Sequence, residues 1–322
     1  MKKILTGIKP TGDWMHIGNY MWAFKPLLDN LKWKKAYIFI ADYHSLTSVH
    51  DGETLRNNKK RLLKEFFALL PNDTEIVVFE QSKIDRINDI TWILNSVTPL
   101  SLMLRAHAFK DSQNKNSEIN MAVFNYPILM TSDIITYDAD LVPVWKDQTQ
   151  HMEFARDIAG NFNKIYKTDL FKLPEAHIEE DVKIITWTDG RKMSKSYNNF
   201  IGIFDDEKKL KKKIMSIVTW SEGLEDSKDP ENCNIFALIK LFASKEKQKE
   251  IADKYKAWWY GYWHAKLELL DIILEYFKEA RLKYDSFEND MSYIEKKLEE
   301  WNNEANNLAD KKYLDMMNLI GL

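Results

Sequence analysis

The sequence has few of the features that mark a secreted, membrane-inserted or cysteine-ligated protein. Its only cysteine is Cys233, which excludes an internal disulfide and a metal site built from several cysteines. No apolar run reaches the roughly 18–20 residues that a membrane span needs. The apolar residues after Met1 are interrupted at Gly7–Pro10, too early for a signal peptide. We therefore expect a cytoplasmic protein that does not enter a membrane.

The chain also lacks the excess of positive charge that many nucleic-acid-binding proteins carry. Its formal net charge is −3, although binding depends on local patches more than on the total. The densest basic run is Lys208–Lys213, and a solvated helix face is its simplest interpretation. With 322 residues, of which 45% are hydrophobic, the chain is long enough for about two domains with apolar cores.

Short apolar runs alternate with helical patterns in the N-terminal half. The apolar runs predict strands at Lys3–Gly7, Ala36–Ala41, Glu75–Phe79, Leu141–Trp145 and Lys183–Thr186. The helical patterns include Thr54–Leu70 and a segment after Leu141–Trp145. Such alternation favours a parallel sheet covered on both faces, a Rossmann-like α/β domain over residues 1–188.

Only helical patterns follow Gly190 in the sequence. An apolar stripe containing Leu270, Ile273 and Phe277 predicts one helix, and Glu295–Met317 predicts a last helix or helix pair. We expect an all-helical domain over residues 189–322, whose last helix could pack back on the first domain.

A glycine-containing motif directly follows the first predicted strand. Thr6–Gly12 runs into the tetrapeptide His16-Ile17-Gly18-Asn19 at a predicted helix start. Gly7 and Gly12 allow the backbone to approach a ligand closely, and Gly18 leaves space for a flat base. His16 and Asn19 can donate hydrogen bonds to phosphate oxygens, and a helix N-terminus favours anions. Alone, a tetrapeptide of this kind is weak evidence.

A second motif, with the sequence KMSKS, occupies Lys192–Ser196 after the turn Thr188–Arg191. Two lysines in a small polar loop can reach the phosphates of a nucleotide, and the serines add hydroxyl donors. A solvated basic loop is the alternative for any single lysine. The complete five-residue string at the end of an α/β domain is much more specific.

Together the two motifs resemble the paired motifs of the class I aminoacyl-tRNA synthetases. Over nearly its full length, the chain further resembles the bacterial-type tryptophanyl members of that class. The segment Tyr126–Ile134 is similar to their tryptophan pocket, Leu141–His151 to the strand and turn beneath the substrate, and Arg156–Ala159 to the helix that follows.

An indole ring presents a large apolar face and a single N–H donor, so its pocket needs apolar walls and one acceptor. Asp133 can supply the acceptor, and Tyr126 with Gln148 can hold the substrate ammonium. His44, at a strand end, either lines the site or is structural. The expected tryptophan-binding residues are Gly7, Lys9, His44, Tyr126, Met130, Asp133, Ile134, Val142, Val144 and Gln148.

The resemblance also implies an ATP site at the same edge of the sheet. His16, Asn19, Lys192 and Lys195 are the expected catalytic residues, which stabilise phosphate charge. The expected ATP-binding residues are Lys9, Pro10, Thr11, Gly18, Asn19, Trp145, Lys146, Asp147, Ile184, Lys192, Met193, Ser194, Lys195 and Ser196.

The chain departs from the common pattern of this family at several positions near the expected ATP site. Lys9 stands where glutamine is common, and Trp145-Lys146 where Gly-Glu is usual. Tyr197-Asn198 replaces a frequent Asp-Pro pair. A lysine often found in a segment after Phe109 has two candidate counterparts here, Lys110 and Lys115.

The implied activity is ATP-dependent activation of L-tryptophan and its transfer to tRNA(Trp) by a homodimer. Mg²⁺ is expected to accompany ATP, held by phosphates and water rather than by a dedicated protein site. The helical domain is expected to bind the anticodon.

Three alternatives remain. A tyrosyl enzyme would need more polar groups around its substrate than Met130 and the neighbouring valines offer. A non-catalytic tRNA- or nucleotide-binding paralogue would be expected to lack His16 or Lys195. A plain nucleotidyl transferase would lack the helical domain.

Overall fold

The computed structural model describes most of the chain: residues 2–12, 15–29, 34–71, 75–106, 120–144, 149–173, 175–178, 200–219, 226–257 and 259–322. Several predicted features lie outside these residues: the KMSKS string at Lys192–Ser196, the turn residues Trp145, Lys146, Asp147 and Gln148, Ile184 with its predicted strand, Lys110, Lys115 and Tyr197-Asn198.

Five parallel strands form one sheet at the centre of the N-terminal part. They are β1 (Lys2–Ile8), β2 (Lys34–Ile40), β3 (Ile76–Glu80), β4 (Leu141–Val144) and β5 (Glu175–Ile178). Their order across the sheet is β3-β2-β1-β4-β5. Four of the predicted strands are confirmed to within about two residues at each end. The fifth, β5, was not predicted because Glu-Ala-His-Ile contains no apolar run.

Helices lie between these strands and also make up the regular structure after them. Their bounds are α1 (Ile17–Asn19), which leads through a π-helical turn (Tyr20–Phe24) into α2 (Lys25–Asp29), then α3 (Asp42–Ser45), α4 (Gly52–Leu69), a 3₁₀ turn (Gln81–Lys83), α5 (Ile87–Val97), α6 (Leu100–Met103), α7 (Met121–Thr136), α8 (Thr149–Ile165), α9 (Glu207–Met215), α10 (Asn234–Phe242), α11 (Lys245–Lys256), α12 (Tyr262–Tyr276), α13 (Lys278–Asn289) and α14 (Ser292–Ile320).

Both faces of the sheet are buried, as expected for parallel strands. Successive strand residues point to opposite faces. On β2, Ala36, Ile38 and Ile40 belong to one core cluster with residues of α4. Tyr37 and Phe39 belong to a second cluster with residues of α7 and α14. The near-continuous apolar run of this strand therefore follows from burial on two sides.

Gly7 is required by packing inside the sheet. It lies opposite Phe39 in the pairing of β1 with β2. A Cβ atom on Gly7 would lie 2.3 Å from Cζ of Phe39. The structure thus gives this glycine a role that the sequence analysis did not include, namely space for the aromatic ring of the neighbouring strand.

The described residues from 200 onward contain helices and no strand, apart from an isolated antiparallel bridge between Gly202 and His16. The predicted last helix is confirmed as a single helix of 29 residues, α14. Its middle contacts the sheet: Lys35 forms an ion pair with Glu304, and the Glu80 amide donates to Oδ1 of Asn302 at 3.0 Å. None of the described helices is long and apolar enough to cross a membrane.

Candidate active site

The first motif lies at the carboxyl end of the central strand, β1. The sheet order reverses here, since β1 has β2 on one side and β4 on the other. Open α/β sheets bind ligands in the crevice at such a reversal. After Ile8 the chain turns, and the Thr11 amide donates to the Lys9 carbonyl at 2.9 Å. Gly12 completes the turn with φ of 113°, a conformation that residues other than glycine rarely adopt.

His16 caps the N-terminus of α1. Its Nδ1 accepts a hydrogen bond from the Asn19 amide at 3.2 Å, and the residue is buried. In the neutral ring the proton is then on Nε2, because Nδ1 acts as an acceptor. This arrangement suits a donor to an anionic ligand. Gly18 is buried within the same turn of helix.

The chain that follows the KMSKS string pairs with the first motif. Ile17 donates its amide hydrogen to the Ile201 carbonyl at 3.0 Å, and Ile203 donates to Met15 at 3.1 Å. The Phe200 ring, four residues beyond Ser196 in the sequence, lies 5.7 Å from the His16 ring. The segment that follows the second motif is therefore adjacent to the first motif, while the second motif itself lies outside the described residues.

Asp205 holds this pairing segment in place. Its buried carboxylate accepts from the Gly202 amide at 3.1 Å and pairs with Lys209 at 2.7 Å and Lys213 at 2.8 Å. Burial alone would raise the pKa of Asp205, but the two lysines outweigh it and lower the pKa below its usual value. From α13, Arg281 donates to the carbonyls of Ile203 and Asp205.

A buried carboxylate, Asp133 on α7, joins three elements at the same edge of the sheet. Its Oδ2 lies 2.9 Å from Nε2 of His44, which follows β2. Gln81, which follows β3, donates from Nε2 to both oxygens of Asp133 at 2.9 Å. The Gln81 Oε1 in turn accepts from the His44 amide at 3.3 Å. Burial raises the pKa of Asp133 even though these contacts oppose the rise.

Tyr126, two turns before Asp133 on α7, connects the network to the first motif. Its hydroxyl lies 3.1 Å from Nε2 of His151, near the start of α8. Its ring lies 6.4 Å from the ring of His44 and 5.9 Å from Nζ of Lys9. Lys9 is exposed, yet desolvation by the surrounding protein lowers its pKa. The structure thus brings Lys9, His44, Tyr126 and Asp133 into one contact chain.

Three of the four apolar residues proposed as walls of the tryptophan pocket have side chains that the structure describes. Ile134 and Val142 are buried in the core cluster that faces α7 and α14, beneath the network. Met130 is partly exposed and packs against the same cluster. Val144 ends β4, one residue before the undescribed turn. Among Ile134, Val142 and Met130, only Met130 therefore has side-chain surface left for a ligand.

Sequence analysis missed Gln81 and His151. Gln81 immediately follows the predicted strand Glu75–Phe79, and a polar residue at a strand carboxyl end is a signal that could have identified it. His151 lies within the segment used for the family resemblance, but its contact with Tyr126 depends on how α7 and α8 pack. The spacing of residues in the sequence does not predict how these two helices pack.

Comparisons with known proteins show the family to which the chain belongs. Residues 1–278 match the family model of tRNA synthetases class I (W and Y). The chain is 44% identical to a tryptophan–tRNA ligase of Fusobacterium nucleatum, over 100% of this chain and 98% of that protein. It is 42% identical to a tryptophan–tRNA ligase of Campylobacter jejuni, over 99% of this chain and 100% of that protein.

Solved structures give the same result. A crystal structure of tryptophanyl-tRNA synthetase from Campylobacter jejuni, complexed with ADP and tryptophan, is similar with a TM-score of 0.94 and 42% identity. The match covers 99% of this chain and 100% of that one. A tyrosyl-tRNA synthetase from Archaeoglobus fulgidus, at 18% identity and a TM-score of 0.62, covers 88% of this chain and shares the fold.

Proposed function

Because the chain belongs to the class I tRNA synthetases for tryptophan and tyrosine, and among them to the tryptophan–tRNA ligases, we propose that it activates L-tryptophan with ATP and transfers it to tRNA(Trp). The observation that carries the proposal is the buried Asp133 carboxylate, which lies on the same face of α7 as Met130 and Tyr126, at the carboxyl edge of the sheet. A single fixed acceptor in an apolar setting matches an indole N–H.

The reaction has two steps. The tryptophan carboxylate attacks the α-phosphate of ATP, which gives tryptophanyl-adenylate and releases pyrophosphate. A hydroxyl of the terminal tRNA adenosine then takes the acyl group and AMP leaves. No protein nucleophile is needed, so the enzyme contributes positioning and stabilisation of phosphate charge.

At the tryptophan site, Asp133 accepts from the indole N–H while His44 and Gln81 fix the orientation of its carboxylate. Tyr126, oriented by His151, and Gln148 hold the ammonium group. Met130 forms the exposed part of the apolar wall, with Ile134 and Val142 packed behind it and Val144 at the strand end. Gly7 and Lys9 close the side formed by β1.

At the ATP site, His16 donates from Nε2 to phosphate oxygens, with Asn19, Pro10, Thr11 and Gly18 around it. The second motif, Lys192–Ser196, supplies further donors, and Trp145–Asp147 and Ile184 complete the nucleotide site. Support comes from the pairing of Ile201 and Ile203 with the His16 segment. Mg²⁺ enters with ATP as part of the substrate, coordinated by phosphate oxygens and water.

Two further proposals concern the protein's context. The first is that the protein forms a homodimer and binds tRNA in that state. The second is that it acts in the cytoplasm, where translation takes place. The ADP and tryptophan complex of the Campylobacter jejuni protein supports the small-molecule substrates, because that protein is 42% identical to this chain over nearly its full length.

The direct test is amino-acid-dependent exchange of pyrophosphate into ATP, run with each of the twenty amino acids. We expect exchange with tryptophan at a rate far above that with any other. Faster exchange with tyrosine would show that the tyrosyl assignment is correct. Absence of exchange with all twenty, from a folded protein, would favour a non-catalytic paralogue.

Lys195→Ala is expected to slow adenylate formation by roughly 10²–10³-fold, the scale for loss of one preorganised donor. Tryptophan affinity without ATP should remain unchanged, because the lysine is proposed to touch only phosphate. Lys208→Ala, an exposed lysine on α9, is the matched control and should have wild-type kinetics. Equal losses of rate and of tryptophan affinity would assign Lys195 a structural role instead.

A further inference from the structure

A second buried carboxylate, Asp42, lies at the carboxyl edge of the sheet, and no step of the proposed reaction uses it. Asp42 is the first residue of α3 and is only 5% exposed. Burial is the main cause of the raised pKa of Asp133, and the charge of Asp42 adds to that rise, so the two carboxylates are close neighbours. A buried charge is costly unless it is paired and hydrogen-bonded. The partners of Asp42 therefore indicate what holds this carboxylate in place and what it holds in turn.

Four hydrogen-bond donors surround the Asp42 carboxylate. The Tyr43 amide donates to Oδ1 at 3.1 Å, and the Ser82 amide donates to the same oxygen at 2.9 Å. The Ser82 hydroxyl donates to Oδ2 at 2.5 Å, and Nζ of Lys59 donates to that oxygen at 3.2 Å. An ionised carboxylate has about four acceptor positions. Protein donors therefore occupy the acceptor capacity of Asp42, which is not available to a ligand.

Lys59, on α4, connects this carboxylate to the end of β3. Its Nζ lies 2.7 Å from Oε1 of Glu80, the last residue of β3, and 3.2 Å from Oδ2 of Asp42. Burial would lower the pKa of Lys59, but the two carboxylates outweigh it and raise the pKa above its usual value. The lysine therefore stays charged, and one cation joins α4 to the ends of two neighbouring strands.

Ser82 is the residue through which Asp42 reaches the tryptophan site. It directly follows Gln81 in the 3₁₀ turn after β3, and Gln81 donates to both oxygens of Asp133. Two residues after Asp42, on the same short helix, His44 makes the other contact with Asp133. Asp42 thus fixes the turn that carries Gln81 to the helix that carries His44. The longer bond of 3.3 Å from the His44 amide to Gln81 Oε1 is a second link between these two elements.

We propose that Asp42 is a positioning residue for tryptophan recognition. By joining α3 to the turn after β3, it sets the placement of His44 and Gln81, and so the direction in which the remaining acceptor position of Asp133 points. A recognition group loses affinity when the contacts that support it shift. The inference rests on the proposed function, because it takes the indole N–H as the donor that Asp133 receives.

Asp42→Asn tests the inference, since an amide nitrogen in place of one oxygen cannot accept from Ser82 or Lys59. In pyrophosphate exchange we expect KM for tryptophan to rise about tenfold, the scale of one hydrogen bond. The kcat should stay unchanged, because the indole bond is present in both the ground state and the transition state. KM for ATP should also stay unchanged. For a benzothiophene analogue of tryptophan, whose ring sulfur cannot donate, kcat/KM should remain close to the wild-type value.

Further variants separate positioning from folding. Ser82→Ala removes the hydroxyl donor but keeps the charge of Asp42, and it should raise KM for tryptophan about threefold, the low end of the scale for one hydrogen bond. Asp85→Asn, which changes an exposed aspartate in the segment after the same turn, is the matched control and should equal the wild type. The double variant Asp42→Asn/Asp133→Ala should use tryptophan as well as Asp133→Ala does, because Asp42 acts through Asp133.

The outcomes distinguish this inference from the proposed function. An unchanged KM for tryptophan in Asp42→Asn, or equal losses with tryptophan and the analogue, would overturn the positioning role while the proposed function stands. Losses that add fully in the double variant would overturn it as well. If Asp42→Asn does not fold, an unchanged preference of Ser82→Ala for tryptophan over the analogue would overturn the inference. A wild type that does not exchange pyrophosphate with tryptophan would overturn both.

Discussion

The orientation of the Asp133 carboxylate is fixed from two directions. His44 and Gln81 approach it from the ends of neighbouring strands, and each contact is 2.9 Å long. An ionised carboxylate has about four acceptor positions, so these partners leave capacity for one more donor. The sequence identified Asp133 and His44 separately. Their bond depends on the packing of α7 against the strand ends, which no local pattern contains.

Asp133→Ala is expected to reduce kcat/KM for tryptophan by roughly 10- to 150-fold, because the indole N–H would be buried without a partner. The loss should be specific to the N–H group. A benzothiophene analogue of tryptophan, whose ring sulfur cannot donate, should be a poor substrate for the wild type and lose little further in the variant. The measurement is pyrophosphate exchange with both substrates.

Two controls separate recognition from stability in this experiment. Asp89→Ala removes a partly exposed carboxylate on α5 and should leave exchange unchanged. Asp133→Asn keeps the side-chain volume and preserves one acceptor toward Gln81, so it should fold as the wild type does. If Asp133→Ala weakens tryptophan and the analogue equally, the carboxylate supports the helix or the ammonium site rather than the indole.

Lys9 is the departure from the family pattern that lies among the described residues, and it is near the proposed tryptophan site. Its Nζ lies 5.9 Å from the centre of the Tyr126 ring, and desolvation lowers its pKa. Lys9→Gln is therefore expected to keep kcat and raise KM for tryptophan or ATP by about tenfold, the scale of one charge-assisted bond. Unchanged KM values for both substrates would mean that the Lys9 amine contributes to the binding of neither tryptophan nor ATP.

At the scale of elements, the pairing of the first motif with residues 201–203 shows what sequence reasoning can and cannot supply. The two motifs and the alternation of strands and helices predicted a shared active site. The hydrogen bonds from Ile17 to Ile201 and from Ile203 to Met15 were not predictable, because an isolated bridge has no period in the sequence. The strand β5 was not predicted either, because its four residues contain no apolar run, whereas β1 to β4 each contain one.

Asp205 makes the stability of this pairing depend on pH. Its folded-state pKa is lowered below the ordinary value, so its contribution is fully present above the unfolded pKa near 3.8 and is lost as pH falls through the folded pKa. Asp205→Asn should lower the free energy of unfolding at pH 7 by about 1–2 kcal/mol, because Lys213 and the more exposed Lys209 lose their charged partner.

Urea unfolding of the wild type and Asp205→Asn at pH 7, 5 and 3.5 measures this dependence. The difference between the two proteins should be equal at pH 7 and pH 5 and should begin to shrink at pH 3.5, which lies below the unfolded pKa. A difference that stays constant would mean that the hydrogen bond to the Gly202 amide, and not the carboxylate charge, stabilises the turn. The control is Asp253→Asn, which changes an exposed aspartate on α11. Asp206→Asn is unsuitable as a control, because Asp206 caps the N-terminus of α9.

At the scale of the whole molecule, one group of exposed apolar side chains is suited to a subunit interface. Trp92 on α5 is 77% exposed, Leu100 on α6 is 64% exposed and Met121 at the start of α7 is 66% exposed. These helices contact one another, α5 and α6 each packing on α7. Exposed apolar side chains on adjoining helices, with a tryptophan among them, are typical of protein–protein contacts. A second copy of the chain is the partner that the proposed homodimer requires.

We therefore expect light scattering at micromolar concentration to give about twice the chain mass of 38.1 kDa. Trp92→Glu should shift the mass to that of one chain, because it places an unpaired charge at the centre of an apolar contact. Leu314→Glu, on α14 and 59% exposed, is the control and should remain dimeric. A wild type that is monomeric while it acylates tRNA would disprove the dimer. A dimer that Trp92→Glu leaves intact would place the interface elsewhere on the surface.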